Sequence, residues 1–338
     1  MTVTTAGMVC AHHHLYSTLA RGMPAPPATP TGFREILEQV WWRLDMALDH
    51  NLLHWSARLG AIEALEAGTT AIIDHHESPG SIDGSLDVIA DACAEVGVRV
   101  VCAYGVTDRH GTKGAVMGLA ENERFLRTGR PGMVGIHAAF TCDDETLGAA
   151  AGLAADHGVG VHVHVAEGPD DVEHVERLRP LAHDNWLLAH CVLLDEPMPG
   201  TVVHNPRSNL NNAVGYARPA RFDRVALGTD GIGASMLEEF GLAYVLHRSD
   251  DVTATPETAW GWLAEGHRLV PAAATDEVTW RGADRDDPWY LAFTPGARPE
   301  KVVIDGEAVV ADGKVTKVDG DRIRARAWEE AKRLWMRL

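Results

Sequence analysis

The chain has 338 residues, 46% of them hydrophobic, and sets 30 Lys and Arg against 48 Asp and Glu for a formal net charge of −18. That apolar share supports a large buried core and excludes a disordered chain, while the acidic surface repels phosphate backbones and excludes nucleic acid as a partner. Five cysteines without a C-x-x-C pair fit reduced thiols. The N-terminus lacks the basic and apolar regions of a signal peptide, and no apolar run reaches the ~20 residues of a membrane span, so a soluble, cytoplasmic protein is expected.

In chain order, short apolar runs recur at 8–14, 69–77, 98–106, 133–141, 159–167, 186–194, 201–209 and 224–231, and most lead into a polar or titratable residue. Continuous runs of this kind fit strands buried on both faces, as parallel strands are. Helical patterns separate most of them, at 33–48, 53–67, 85–96, 145–157 and 236–247. The alternation predicts a parallel α/β fold. Eight strands predict a closed (β/α)8 barrel of the TIM type, with its chemistry at the C-terminal strand ends. The competing doubly wound sheet would carry a glycine fingerprint after its first strand, and none is present.

Only 14 residues separate His190 from His204. A parallel crossover usually takes a dozen or more by itself, so the helix after the sixth strand is expected to be missing, and the 218–222 connection after the seventh is short as well. The barrel is assigned to 1–255. Beyond it, Thr255-Pro256 opens a helix, 301–318 reads as a small β-hairpin or three-strand unit with Asp-Gly turns, and a terminal helix starts near Arg322. Residues 256–338 are expected to pack on the barrel.

The strand ends carry the chemistry. His12 and His14 are two residues apart in a strand, so both imidazoles point the same way and can reach one ion, with His13 directed oppositely. His164 and Glu167 end the fifth strand, His190 the sixth, and Asp230 the eighth. Singly, each reads as a satisfied buried polar residue. Together they offer nitrogen and oxygen donors suited to zinc, with iron(II) as the alternative. The motifs H-E-x-x-H, the P-loop and H-x-E…P-C-x-x-C are absent. Asp74, His75 and His76 read as solvated strand-end residues, with a place lining the pocket as the alternative, and Cys191 as a core thiol. Of Trp41 and Trp42, adjacent on a helix, one is expected in the core and the other over the active site or at a subunit interface.

The run AHHHLYSTLARGMP, together with HVHVAE, AHC, VVHNPRSNLNNAVG and GTDG, resembles the amidohydrolase superfamily, in its ATZ/TRZ and cytosine-deaminase-like branch. Within that branch WWRLD, GTTAIIDHHESP, GIHAAFT and SNLNNAVG are similar to the SsnA-type aminohydrolases. The resemblance runs from about Met8 to about Glu239. It implies one Zn2+ per chain (Fe2+ as the alternative) held by His12, His14, His164 and Asp230. Where binuclear relatives carry a lysine at the fourth strand, Ile136-His137 stands here, which implies a mononuclear site.

By the same resemblance, Asp230 takes the proton of the metal-bound water, and Glu167 carries protons to a ring nitrogen and to the leaving ammonia. His190, a fifth ligand or a hydrogen-bond partner of that water, steadies the tetrahedral centre, and His137, His204 and Asn209 contact substrate. The implied activity is deamination of a small purine-, pyrimidine- or triazine-like heterocycle. Cyclic-amide or C–Cl hydrolysis at the same site and a non-catalytic scaffold are the alternatives. Relatives carry a longer segment before the H-x-H, which forms half of a small β-sandwich. Here eleven residues precede His12, so the strands at 301–318 are expected to stand without that partner. Their open edges, or the Trp41-Trp42 helix, would then be covered in a homodimer.

Overall fold

Nine strands occupy the first two thirds of the computed structural model, which describes residues 2–231 and 233–338. They are β1 (Val3–Ala6), β2 (Met8–His13), β3 (Thr69–His76), β4 (Arg99–Val106), β5 (Val134–Ala138), β6 (Val161–Val165), β7 (Leu187–His190), β8 (Thr201–His204) and β9 (Val225–Leu227). β2 to β9 pair in sequence order, every neighbour parallel. The first and last of these are joined where the backbone N–H groups of Thr229 and Asp230 both donate to the carbonyl of His12, at 3.1 and 3.0 Å. Each of the eight apolar runs is a barrel strand, and the barrel is nearly closed.

The reason lies in the two faces of each strand. Ala11, Ile73, Leu187, Val203 and Ala226, drawn from strands on opposite sides, form one buried cluster that can meet only inside the barrel. Their neighbours in sequence, such as Cys10, Ile72, Leu188, Val202 and Val225, belong to the larger core between strands and outer helices. Those helices include His50–Glu66, Ser85–Val96, Gly111–Leu126, Asp144–His157 and Met236–Asp250. Asp49 and Asp143 cap two of them by accepting from the N–H of Leu52 and Thr146. Among the described residues no helix follows β7, and β8 is followed only by the six-residue α-helix Pro206–Asn211 and a 3-10 turn at Pro219–Arg221, as the short connections require.

The C-terminal β unit is larger than its sequence suggests. Glu277–Arg281 (β10), Arg298–Ile304 (β11), Glu307–Ala311 (β12) and Lys314–Val315 (β13) form an antiparallel sheet in the order β1-β10-β11-β12-β13. The strands at 301–318 therefore do not stand alone: the residues ahead of His12 supply β1, which pairs with β10 from Val3↔Trp280 to Ala6↔Glu277. Trp280 is buried and its indole N–H donates to Thr5 Oγ1 at 2.9 Å. The terminal helix Gly320–Trp335 lays Ala327, Ala331 and Leu334 against Leu19, Leu44, Leu52 and Leu53. Among the described residues, no helix is long and apolar enough to cross a membrane.

Gly228 is where close packing and the barrel mouth meet. A Cβ there would lie 2.4 Å from Asn205 Oδ1 and 2.8 Å from the carbonyl oxygen of His12, the acceptor that joins β2 to the last strand. Gly228→Ala is expected to destabilise the fold by about 1–3 kcal/mol, the usual cost of overpacking. Chemical denaturation reads it, and an unchanged midpoint would contradict this closure.

Candidate active site

The C-terminal ends of β2, β6 and β7 and the turn after β9 face one another across the barrel mouth. Asp230 Oδ1 lies 3.3 Å from His12 Nε2 and 2.9 Å from His14 Nε2, and His164 Nε2 is 3.3 Å from His14 Nε2. His190 completes the group: one donor atom each from His12, His164, His190 and Asp230 lie within 4.8 Å of one another, as do those of His14, His75 and His164. All six residues are buried. His190 and Asp230 hold left-handed backbones, φ 72° and 56°. Such conformations cost a non-glycine residue on the order of 1–3 kcal/mol and are kept only where the surroundings enforce them.

The residues fit a cation. His14 Nδ1 donates to the carbonyl of His75 at 2.5 Å, His164 Nδ1 to that of His137 at 2.6 Å, and His190 Nδ1 to Asn209 Oδ1 at 2.8 Å. With Nδ1 donating, Nε2 of each ring faces inward. Although burial lowers His14, the adjacent Asp230 pushes it up to about 9, so His14 gives up its Nε2 proton when it takes a cation. His12 Nδ1 meets His162 Nε2 at 2.8 Å, and His12 Nε2 is buried with no hydrogen-bond partner. Burial above all pushes His12 and His164 well below the ordinary imidazole range, so both are neutral donors. Neutral imidazoles and a carboxylate converging on one point are a zinc-type donor set.

Glu167 stands beside this cluster. Its Oε2 is 3.5 Å from His190 Nε2 and its Oε1 accepts from Asn212 Nδ2 at 3.4 Å. Burial pushes its carboxyl up to about 7, with His190 drawing it down and Asp230 adding to the rise. A pocket opens from here, bounded by Phe33, Trp41, Trp42 and Phe140 and by the polar groups of His137, Glu77 and Asp45. Behind the wall, Arg109 pairs with Glu77 and, at 3.3 Å, with Asp45, and lies over the Trp42 ring at 4.5 Å. Burial pushes Glu77 upward, and the Arg109 guanidinium draws it back down.

Of the three expected substrate contacts, only His137 lines the pocket. Asn209 instead holds the back of the His190 ring. His204 points outward against Tyr216 and Trp262, because Val203 occupies the inner face of β8 and side chains alternate along a strand. Asp74, His75 and His76 are not solvated but fully buried. Asp74 accepts from the Leu15 N–H at 2.7 Å, and the His75 ring stands 4.5 Å from that of His164. Two-residue spacing from Ile73, which faces the barrel interior, was the available signal for His75.

Trp41 and Trp42 both reach the pocket. Residues 37–41 form a π-helical turn, which rotates the chain relative to the α spacing assumed from sequence. Cys191 is buried, as a core thiol should be. Asp45, Glu77 and Arg109 come from separate segments; WWRLD and GTTAIIDHHESP contain the first two, but nothing local announced that Arg109 joins them.

Comparison with known proteins follows this geometry. The profile of the Amidohydrolase family matches residues 3–260. The chain is 30% identical to a 5'-deoxyadenosine deaminase of Methanopyrus kandleri, covering 98% of this chain and 86% of that protein. It is 28% identical to a 5-methylthioadenosine/S-adenosylhomocysteine deaminase of Desulforudis audaxviator, covering 98% and 87%. Among solved structures, an adenosine deaminase from Xanthomonas campestris with bound zinc superposes with a TM-score of 0.85 at 21% identity, covering 98% of this chain and 86% of that one. The atrazine chlorohydrolase TrzN from Arthrobacter aurescens, also with zinc, gives 0.80 at 21% identity, covering 98% and 88%. At such identities the structural likeness speaks for the fold.

Arg109 is what lets two buried carboxylates share one wall. Arg109→Met is expected to destabilise the protein by about 3–5 kcal/mol, as loss of one partner of a buried ion pair does. Adding Glu77→Gln and Asp45→Asn should recover most of it. A loss below about 1 kcal/mol in urea unfolding would mean that the carboxylates do not depend on the guanidinium.

Proposed function

The chain belongs to the amidohydrolase family, and from that premise we propose that this heterocycle deaminase acts on an adenine-type nucleoside without a phosphate. The observation that carries the reading is Glu167. It is a largely buried carboxyl poised at about 7 beside the His–Asp cluster, at the inner end of a pocket walled by flat aromatic side chains. Four aromatic rings suit a planar base. Among the described residues that line the pocket there are carboxylates but no Lys or Arg, which disfavours a phosphorylated substrate. The relatives named as 5'-deoxyadenosine and 5-methylthioadenosine deaminases, matched along nearly the whole chain, support the adenine assignment.

His12, His14, His164 and Asp230 would hold one zinc per chain, with iron(II) as the alternative. When bound, the cation supplies Lewis acidity and lowers the pKa of a water from ~15.7 to ~7. The residues do the rest. Glu167 gives its proton to a ring nitrogen and so makes the adjacent carbon electrophilic. Asp230 takes one proton of the attacking water. Glu167 takes the other as the hydroxyl becomes a carbonyl and delivers it to the departing amine, and the proton on Asp230 returns to Glu167 through water or substrate. His190, fixed through Asn209, acts as an imidazolium whose Nε2–H donates to the oxygen on which charge develops. Two further readings stand with this one. Five buried free cysteines suit a reducing cytoplasm, and β1 and β13, the outer strands of the small sheet, suit pairing in a homodimer.

Coupled ammonia detection with 5'-deoxyadenosine and 5'-methylthioadenosine is expected to register turnover, and mass spectrometry a gain of about one mass unit as NH becomes O. Products that have only added water would move the activity to cyclic-amide hydrolysis, and chloride release from chlorotriazines without ammonia would move it to C–Cl hydrolysis. Glu167→Gln should keep its metal and lose about 10²–10⁴-fold in rate. Elemental analysis should find about one transition metal per chain, removed by His12→Ala or Asp230→Ala; none, or two, would contradict the mononuclear site.

A further inference from the structure

We propose that Ser208 and Asn212 form one brace that orients both reacting carboxylates, Asp230 and Glu167, while passing no proton between them. The proposal deepens the deaminase reading and rests on it. The two side chains are four residues apart across the end of the short helix Pro206–Asn211, and therefore lie on the same face. Both are buried. Ser208 Oγ donates to Asp230 Oδ2, and Asn212 Nδ2 donates to Ser208 Oγ at 3.3 Å and to Glu167 Oε1 at 3.4 Å.

The direction of every bond in this chain is settled by chemistry. An ionised carboxylate only accepts, so the Ser208 hydrogen points to Asp230 and its oxygen is left to accept from Asn212. The amide carries two hydrogens, one for Ser208 and one for Glu167. An amide N–H does not give up its proton under these conditions, so the chain cannot relay one from Asp230 to Glu167. Protons must cross between the carboxylates through water or substrate.

What the brace does is divide the oxygens. On Asp230, Oδ2 is held by Ser208 and Oδ1 is left facing His12 and His14 at 3.3 and 2.9 Å. On Glu167, Oε1 is held by Asn212 and Oε2 is left toward His190 at 3.5 Å. The helix itself is anchored at its start, where Arg207 Nε donates to the buried Glu239 Oε1 at 2.7 Å. Ser208 and Asn212 are positioning residues: they act through the two carboxylates.

The test compares Ser208→Ala, Ser208→Thr, Asn212→Ala and the double alanine variant of the full chain. Zinc affinity is measured by chelator competition and needs no substrate. Ser208→Ala is expected to weaken zinc about 10- to 100-fold, the usual cost of losing a group that orients a metal ligand, and Ser208→Thr to restore it. Asn212→Ala is expected to lower kcat with KM little changed, and the double variant to lose no more kcat than the worse single one, because the two act as a unit. Ser208→Cys, similar in shape but a weak donor, replaces Ser208→Ala if that variant does not fold. Unchanged zinc affinity in the Ser208 variant, or kcat losses that multiply, would overturn the brace. Absence of deamination in wild-type protein would instead overturn the functional reading, and the zinc measurement would still decide the brace.

Discussion

The carbonyl of His12 is the hinge of the whole arrangement. It accepts from the backbone N–H groups of both Thr229 and Asp230, and so joins the first barrel strand to the turn after the last. The side chains of His12 and Asp230 face the candidate centre, His12 Nε2 standing 3.3 Å from Asp230 Oδ1. Closing the barrel and assembling the site are thus one event. The left-handed backbone at Asp230 is a local strain that the closure sustains. Gly228 is part of the same economy of space, since any larger residue would push into Asn205 and His12.

Around that point the chain separates the residues that react from those that hold. The inner imidazole nitrogens converge, while the outer ones are tied to the carbonyls of His75 and His137 or to Asn209. Such outer partners set the tautomer, the ring orientation and the basicity of the nitrogens left free. The carboxylates follow the same rule, with one oxygen held and one presented. Their different neighbours then separate their acidities. Glu167 rises to about 7. For Asp230, burial pushes upward, but the His12 and His14 imidazoles, 3.3 and 2.9 Å from its Oδ1, outweigh it and hold the group well below the usual carboxylate range. Two carboxyls with acidities driven apart can serve as acid and base in one reaction.

How much of this was legible in the sequence follows from how each feature is encoded. Barrel strands buried on both faces leave continuous apolar runs, and all eight could be read, as could the missing helix between His190 and His204. His12, His14, His164 and Asp230 fall at strand ends, where spacing alone brings them together. β1 and β10 escaped notice because VTTA and EVTWR are short, half-exposed and alternate polar with apolar. Their pairing also joins residues from the two ends of the chain. His204 was assigned to the pocket by motif, although alternation from Val203 directs it outward. The Asp45–Arg109–Glu77 wall draws one residue from each of three distant segments, and the π-helical turn that brings in both tryptophans has no local signature.

X-ray absorption on zinc-loaded protein tests the shared centre most directly. The account predicts a shell of nitrogen and oxygen atoms at ~2.0–2.1 Å with the outer scattering of three imidazoles, no sulfur at ~2.3 Å, and no second metal at ~3.5–4 Å. Loss of the imidazole signature, a thiolate shell or a metal–metal distance would contradict it.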